Sequence, residues 1–157
     1  VDGHTIWTTE AGYLKTQERI KQIGTKEMIE NAREVEAARA LGDLRENSEY
    51  KFACERRARL QGEMKTLSDL LNRARIITPN DIYPNEVSIG GVVTIKDAAN
   101  NLTTYTILGP WDVDVDNNIL SFQSKLAQAM IGCKINEHFQ FKDEEYTVEN
   151  IRSFMDK

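Results

Sequence analysis

The sequence predicts an α+β protein in which an antiparallel pair of long helices precedes a small β-rich domain. Three observations carry that prediction. Apolar residues recur at alternating three- and four-residue steps through the first half, that half holds no proline before Pro79, and beyond it short β-branched and aromatic runs alternate with Gly, Asn and Asp turns. A chain of 157 residues accommodates one domain or two small ones. The change of texture favours two, a helical hairpin over 1–79 and a sheet domain over 80–157.

The first arm of the hairpin is expected over 11–41 and the second over 45–76, each about 45 Å long at ~1.5 Å per residue. In the second arm Tyr50, Ala53, Leu60, Met64, Leu67, Leu71 and Ala74 form the seam of a two-helix coiled coil, interrupted by Arg57. In the first arm Tyr13, Ile20, Gly24, Met28, Ala32 and Val35 play that part. The four-residue step repeats at 20, 24 and 28, so the register shifts, and a local irregularity is expected near Gly24-Thr25. Pro79 and Pro84 follow the second arm, where helices usually stop. Thr78-Pro79-Asn80-Asp81 with Pro84-Asn85 reads as a linker.

Beyond the linker, strands are expected over 92–95, 103–108, 138–141 and 146–148, in a small antiparallel sheet with one helix over 125–131. Trp111, Phe122, Phe139, Phe141 and Tyr146 read as core or turn residues, with no obvious aromatic-lined pocket in this half.

The run from Gly42 to Tyr50 joins the two arms and carries Asp43 and Glu46. One reading of this pair is structural: Asp at a helix N-cap with Glu three residues later is a capping box, each side chain satisfying a backbone N–H left free at the helix start. The other reading is chemical. Two carboxylates at the end of a hairpin suit a hard, oxygen-preferring cation such as Mg²⁺. Two protein carboxylates leave an octahedral site incomplete, so water, phosphate and a partner's acids would supply the remaining ligands, as in two-metal phosphoryl-transfer sites.

The run Gly42-Asp43-Leu44-Arg45-Glu46-Asn47-Ser48-Glu49-Tyr50, the preceding Ala37-Ala38-Arg39-Ala40-Leu41, the upstream Thr9-Glu10-Ala11-Gly12, and the stretch from Ser121 to Gly132 together resemble the bacterial Gre transcript-cleavage factors, the GreA type more than GreB. The resemblance covers nearly the whole chain. The family usually has proline where this chain has Lys125. The resemblance implies an FKBP-like fold for the second domain and a transcription elongation factor that inserts its hairpin tip into the secondary channel of bacterial RNA polymerase. There it would stimulate Mg²⁺-dependent cleavage of backtracked RNA and rescue arrested elongation complexes. It further implies that Asp43 and Glu46 help hold a Mg²⁺ shared with the polymerase and not bound stably by this chain alone. Leu44, Arg45, Asn47, Ser48 and Tyr50 at the tip and Ser124, Lys125 and Leu126 in the second domain would meet the partner. Lys51, Arg56, Arg57 and Arg59, behind the tip, would face the phosphates of the nascent RNA 3′ end; as a solvated helix face they need no function. The protein would be a monomer and no enzyme by itself. Two other classes remain open: a secondary-channel inhibitor of the same shape, against which the intact acidic pair speaks, and an FKBP-like isomerase or chaperone.

Charge adds exclusions. Residues 1–80 carry 14 basic and 13 acidic side chains, and residues 81–157 carry 6 and 12. Neither half has the bulk positive charge of an independent nucleic-acid binder. Cys54 and Cys133 lack metal-ligand spacing and no signal peptide precedes them, which fits reduced thiols in the cytoplasm. His4 and His138 have no ligand-like neighbours. Asp112, Asp114 and Asp116 imitate the start of a calcium loop, but Asn117 and Gln123 stand where glycine and the bidentate glutamate belong, so an acidic surface turn is expected. Asn101-Leu102-Thr103 is a glycosylation sequon by pattern only. No apolar run suits a membrane span. The chain starts at Val1 without methionine, as a processed or cut form of a longer protein would.

Overall fold

The computed structural model describes residues 5–42 and 47–156. Packing divides the chain into two compact units, one formed by Val1–Tyr13 with Ala74–Lys157 and the other by Leu14–Arg73. The packing units therefore differ from the division in chain order at 79/80, because the first residues pack with the second half.

Within the helical unit the first arm is α1 (Glu10–Gln22), one π-helical turn (Ile23–Glu27) and α2 (Met28–Arg39), and the second is α3 (Ser48–Asn72). The irregularity expected near Gly24-Thr25 is the π turn. An i→i+5 turn inserts one extra residue and so rotates the apolar stripe. The rotation moves the seam off some expected positions: Ile23 is buried while Gly24 is exposed, and Asn31 is buried while Ala32 is exposed. Val35 and Ala38 continue the seam, and Ala53 and Leu60 are the buried positions of α3, with Tyr50, Met64, Leu67 and Leu71 half-buried. The second arm stops at Asn72 and not at 76. Ala74–Ile76 is strand β2, so Ala74 lies outside the seam; β-branched Ile76 and Ile77 suit extended backbone, and pairing with another strand overrides the spacing.

Two polar features tie the arms together. Arg19 lies one turn before the π turn and reaches Glu63 of α3 through Nε to Oε1 at 2.8 Å and Nη2 to Oε2 at 3.0 Å, while Nη1 meets Glu27 Oε2 at 2.5 Å. The hydrogen bond from Arg19 holds the Glu63 carboxyl below its ordinary range. Asn31 donates from Nδ2 to the Ala53 carbonyl at 2.9 Å, and its buried Oδ1 has no partner among the described residues. A buried asparagine in a coiled-coil seam fixes register at the expense of stability.

In the other unit, β1 (Ile6–Thr8) pairs in parallel with β2 (Ala74–Ile76), a ribbon the alternation signal is too short to reveal. The sheet holds β3 (Gly91–Lys96), β4 (Leu102–Leu108), β5 (Ile119–Ser121), β6 (His138–Phe141) and β7 (Glu144–Ser153), in the order β5-β4-β3-β7-β6. Helix α4 (Lys125–Met130) precedes β6. The expected antiparallel sheet is in fact mixed, since β4 and β5 pair in parallel. Parallel neighbours cannot be joined by a tight hairpin, and residues 109–118, with a 3₁₀ turn and left-handed Asn118, make the longer return. Val93, Ile95, Ile107, Val148 and Ile151 of the sheet, Ala127 and Met130 of α4, and Phe139 close the core.

Asp112 differs from the expected surface turn. Its Oδ2 accepts from Thr8 Oγ1 at 3.0 Å, Gly109 N at 3.1 Å and Thr9 N at 3.2 Å, and its Oδ1 accepts from Thr9 Oγ1 at 2.6 Å. Thr9 Oγ1 in turn accepts from Gly12 N at 3.1 Å, in the first turn of α1. The Thr9-Glu10-Ala11-Gly12 segment is thus the point where β1 and α1 are pinned to the loop after β4.

Candidate functional site

The described ends of the connection between α2 and α3 are Gly42 and Asn47. Helix α2 ends at Arg39 with Ala40 as its C-cap, and Gly42 takes φ +119°, a conformation that only glycine adopts without strain. Helix α3 opens with Asn47, whose Oδ1 accepts from Tyr50 N at 3.0 Å while its Nδ2 donates to the Ala38 carbonyl at 2.6 Å. One residue therefore caps α3 and satisfies a carbonyl in the last turn of α2. Above it the Arg39 guanidinium lies 6.0 Å from the Tyr50 ring centroid, and the tyrosine hydroxyl raises the arginine pKa further.

The N-cap of α3, as it starts at Ser48, is Asn47. Asp43, Leu44, Arg45 and Glu46 themselves lie outside the described residues. Of the remaining tip residues, Ser48 is exposed, whereas Asn47 and Tyr50 are engaged within the hairpin. Asn47→Ala is expected to lower the stability of the helical unit by about 1–2 kcal/mol, and Asn47→Ser, which keeps the cap, by less. Urea denaturation followed by circular dichroism checks both.

The basic cluster is split. Arg56 is paired with Glu34 across the hairpin, and Arg56 and Arg59 share a groove of about 690 Å³ with Ala37, Leu41 and Phe52. Lys51 and Arg57 are exposed and do not line it. Phe52 and Leu41, each 65 % exposed, are apolar groups the sequence reading passed over. They lie off the seam spacing, and that displacement was the available signal.

In the sheet-bearing unit, Ser124 is the N-cap of α4, its Oγ accepting from Ala127 N at 3.2 Å, and Leu126 packs against the core. Lys125 alone of the expected trio is exposed, at the first position of α4. That position explains why proline is acceptable there: the first helical residue needs no N–H partner and a φ near −65° is already helical. Lys125→Pro is expected to raise stability by about 0.5–1 kcal/mol through the unfolded chain, read from the denaturation midpoint; a loss instead would mean that the backbone there cannot take proline. Contrary to expectation, this unit also holds an aromatic-lined cleft of about 470 Å³, with Trp7, Tyr83 and Phe122 in its walls. It escaped notice because Trp7 arrives from β1, far away in sequence.

Among the described residues no group of three or more His, Cys, Asp or Glu side chains can hold a metal ion, and no helix is long and apolar enough to cross a membrane.

A helical hairpin followed by a mixed sheet is the architecture on which comparison with known proteins is set. Residues 6–76 match the family model "Transcription elongation factor, N-terminal", and residues 82–153 match "Transcription elongation factor, GreA/GreB, C-term". The transcription elongation factor GreA of Chlamydia pneumoniae is 47 % identical over 154 residues, 98 % of this chain and 21 % of that protein. GreA of Caldanaerobacter subterraneus subsp. tengcongensis is 38 % identical over 130 residues, 82 % of this chain and 83 % of its own. The structure of Thermus aquaticus Gfh1 is 20 % identical with a TM-score of 0.44, covering 96 % of this chain and 100 % of that one. The chain belongs to the GreA/GreB transcription elongation factor family. It spans about a fifth of the length of the two chlamydial relatives it matches.

Proposed function

We propose that the protein acts in the cytoplasm on bacterial RNA polymerase, entering the secondary channel with the segment between α2 and α3 and stimulating cleavage of backtracked RNA. The observation that carries this reading is the division of labour at the turn. Asn47 caps α3 and ties down α2, and Asp43 and Glu46 precede it in the run that joins the two helices. Their oxygen donors suit Mg²⁺ in kind and fall short of it in number, which fits a shared site whose other ligands come from the polymerase. When bound, Mg²⁺ supplies Lewis-acid polarisation and neutralises charge at the phosphodiester. The chain's part is to carry two carboxylates to the RNA 3′ end, with Lys51 and Arg57 free to meet phosphates, and to dock through the surface around Lys125. On this reading the protein is a monomeric donor of metal ligands and the polymerase is the enzyme.

The test is a stalled elongation complex carrying end-labelled backtracked RNA, incubated with Mg²⁺ in the presence and absence of the protein. Faster release of short 3′ fragments and resumed elongation are expected. Slower cleavage in its presence would favour the inhibitor reading instead.

A further inference from the structure

We propose that the aromatic cleft of the sheet-bearing unit binds an extended protein segment presenting an apolar side chain next to a lysine or arginine. Trp7, Tyr83, Phe122 and Ile131 give the cleft apolar walls, and its volume of about 470 Å³ is that of a small-ligand site. Tyr83 is 57 % exposed, a large aromatic surface left in water beside a concave site. Trp7 Nε1 is buried and has no hydrogen-bond partner among the described residues. Gln128 donates to the Phe122 carbonyl at 2.6 Å, which leaves its Oε1 as an acceptor for a peptide N–H.

Charge selects the occupant. The lining includes Asp81 and Glu86 and no lysine or arginine; Asp81 Oδ2 accepts from Thr78 N and Oγ1 at 2.8 Å, and Glu86, bridged through its backbone to Lys134, makes no ion pair among the described residues. Residues 81–157 as a whole carry 12 acidic and 6 basic side chains. A cationic side chain beside the apolar one would find a counter-charge in Glu86, and an acidic one would be repelled by both carboxylates. Ser124, Lys125 and Leu126 do not line the cleft, and the inference does not rest on the polymerase reading, because its probes are free peptides.

The experiment uses the ¹⁵N-labelled chain and three probes, Ac-Ala-Leu-Arg-Ala-NH₂, Ac-Ala-Leu-Glu-Ala-NH₂ and Ac-Ala-Ser-Arg-Ala-NH₂. Trp7 and Trp111 give two indole N–H signals, and Trp111 does not line the cleft, so it serves as the internal control. The Leu-Arg probe is expected to shift the Trp7 signal saturably, with a Kd of about 1 mM or tighter, while Trp111 stays still. The Leu-Glu and Ser-Arg probes are expected to bind at least tenfold more weakly. Tyr83→Ala should weaken the Leu-Arg probe at least tenfold with the thermal midpoint unchanged, and Glu86→Gln should narrow the preference for arginine over glutamate. Equal response to the three probes, movement of both indoles together, or a Trp7 shift that follows protein concentration without peptide would each overturn the proposal. The last of these would make a second copy of the chain the occupant.

Discussion

Asp43→Asn and Glu46→Gln are each expected to lower stimulated transcript cleavage at least tenfold while leaving the unfolding midpoint unchanged. Tenfold corresponds to about 1.4 kcal/mol of barrier, a modest share of what a charged ligand contributes when water is excluded. The sequence alone already suggested a separation of stability from activity, because Asn caps as well as Asp and Gln can stand for Glu in a capping box. The structure strengthens the stability half of the argument, since the cap of α3 is Asn47. Cleavage of a stalled elongation complex, measured beside a thermal melt, decides the matter: full activity in both variants would remove the metal-ligand role from this chain.

Gly109→Ala should have the largest effect on folding. A β-carbon at 109 would sit 1.5 Å from the Trp7 carbonyl oxygen and 2.7 Å from its carbon, so backbone would meet side chain with no flexible group to yield. To admit it, β1 must leave the loop after β4, and the hydrogen bonds converging on Asp112 must open with it. A loss of about 3–4 kcal/mol is expected, at the upper end of single substitutions. Gly62→Ala is the matched control. Position 62 lies in α3 with nothing within 4 Å of the added carbon, and there alanine should stabilise by about 0.5–1 kcal/mol. Denaturation midpoints of the two variants separate steric exclusion from a general intolerance of glycine replacement.

What the sequence disclosed depended on how far apart the determining residues lie. The helical arms, their register slip and strands β3, β4, β6 and β7 are written in local periodicity, and they are found close to where that periodicity puts them. Strands β1, β2 and β5 have three residues each, too few for alternation to register. The stop of α3 at Asn72 is set by pairing with residues nearly seventy positions earlier, which no local window can contain. At the tip, spacing identified the acidic pair and left a cap and a metal ligand as its two readings, while Asn47 as the cap of α3 shows only in the structure. In the sheet-bearing unit the cleft was invisible for a different reason: its walls come from β1, the segment around Tyr83, Phe122 and the end of α4, and only the fold assembles them.

The parallel ribbon of β1 and β2 also governs the order in which this chain can fold. Pairing Ile6–Thr8 with Ala74–Ile76 closes residues 9–73 into a loop, and for a flexible chain the entropy of closure grows with length, by about 0.6 kcal/mol per doubling. Helices form within microseconds from near neighbours. Once α1, α2 and α3 have zipped, the ends of that loop are already drawn together and the ribbon joins a short, stiff closure. The hairpin is then a kinetic scaffold as well as a finished part. Loosening its seam should slow the burial of Trp7, a reporter that belongs to the other unit, and stopped-flow fluorescence would register a defect in one half of the chain as a delay in the other.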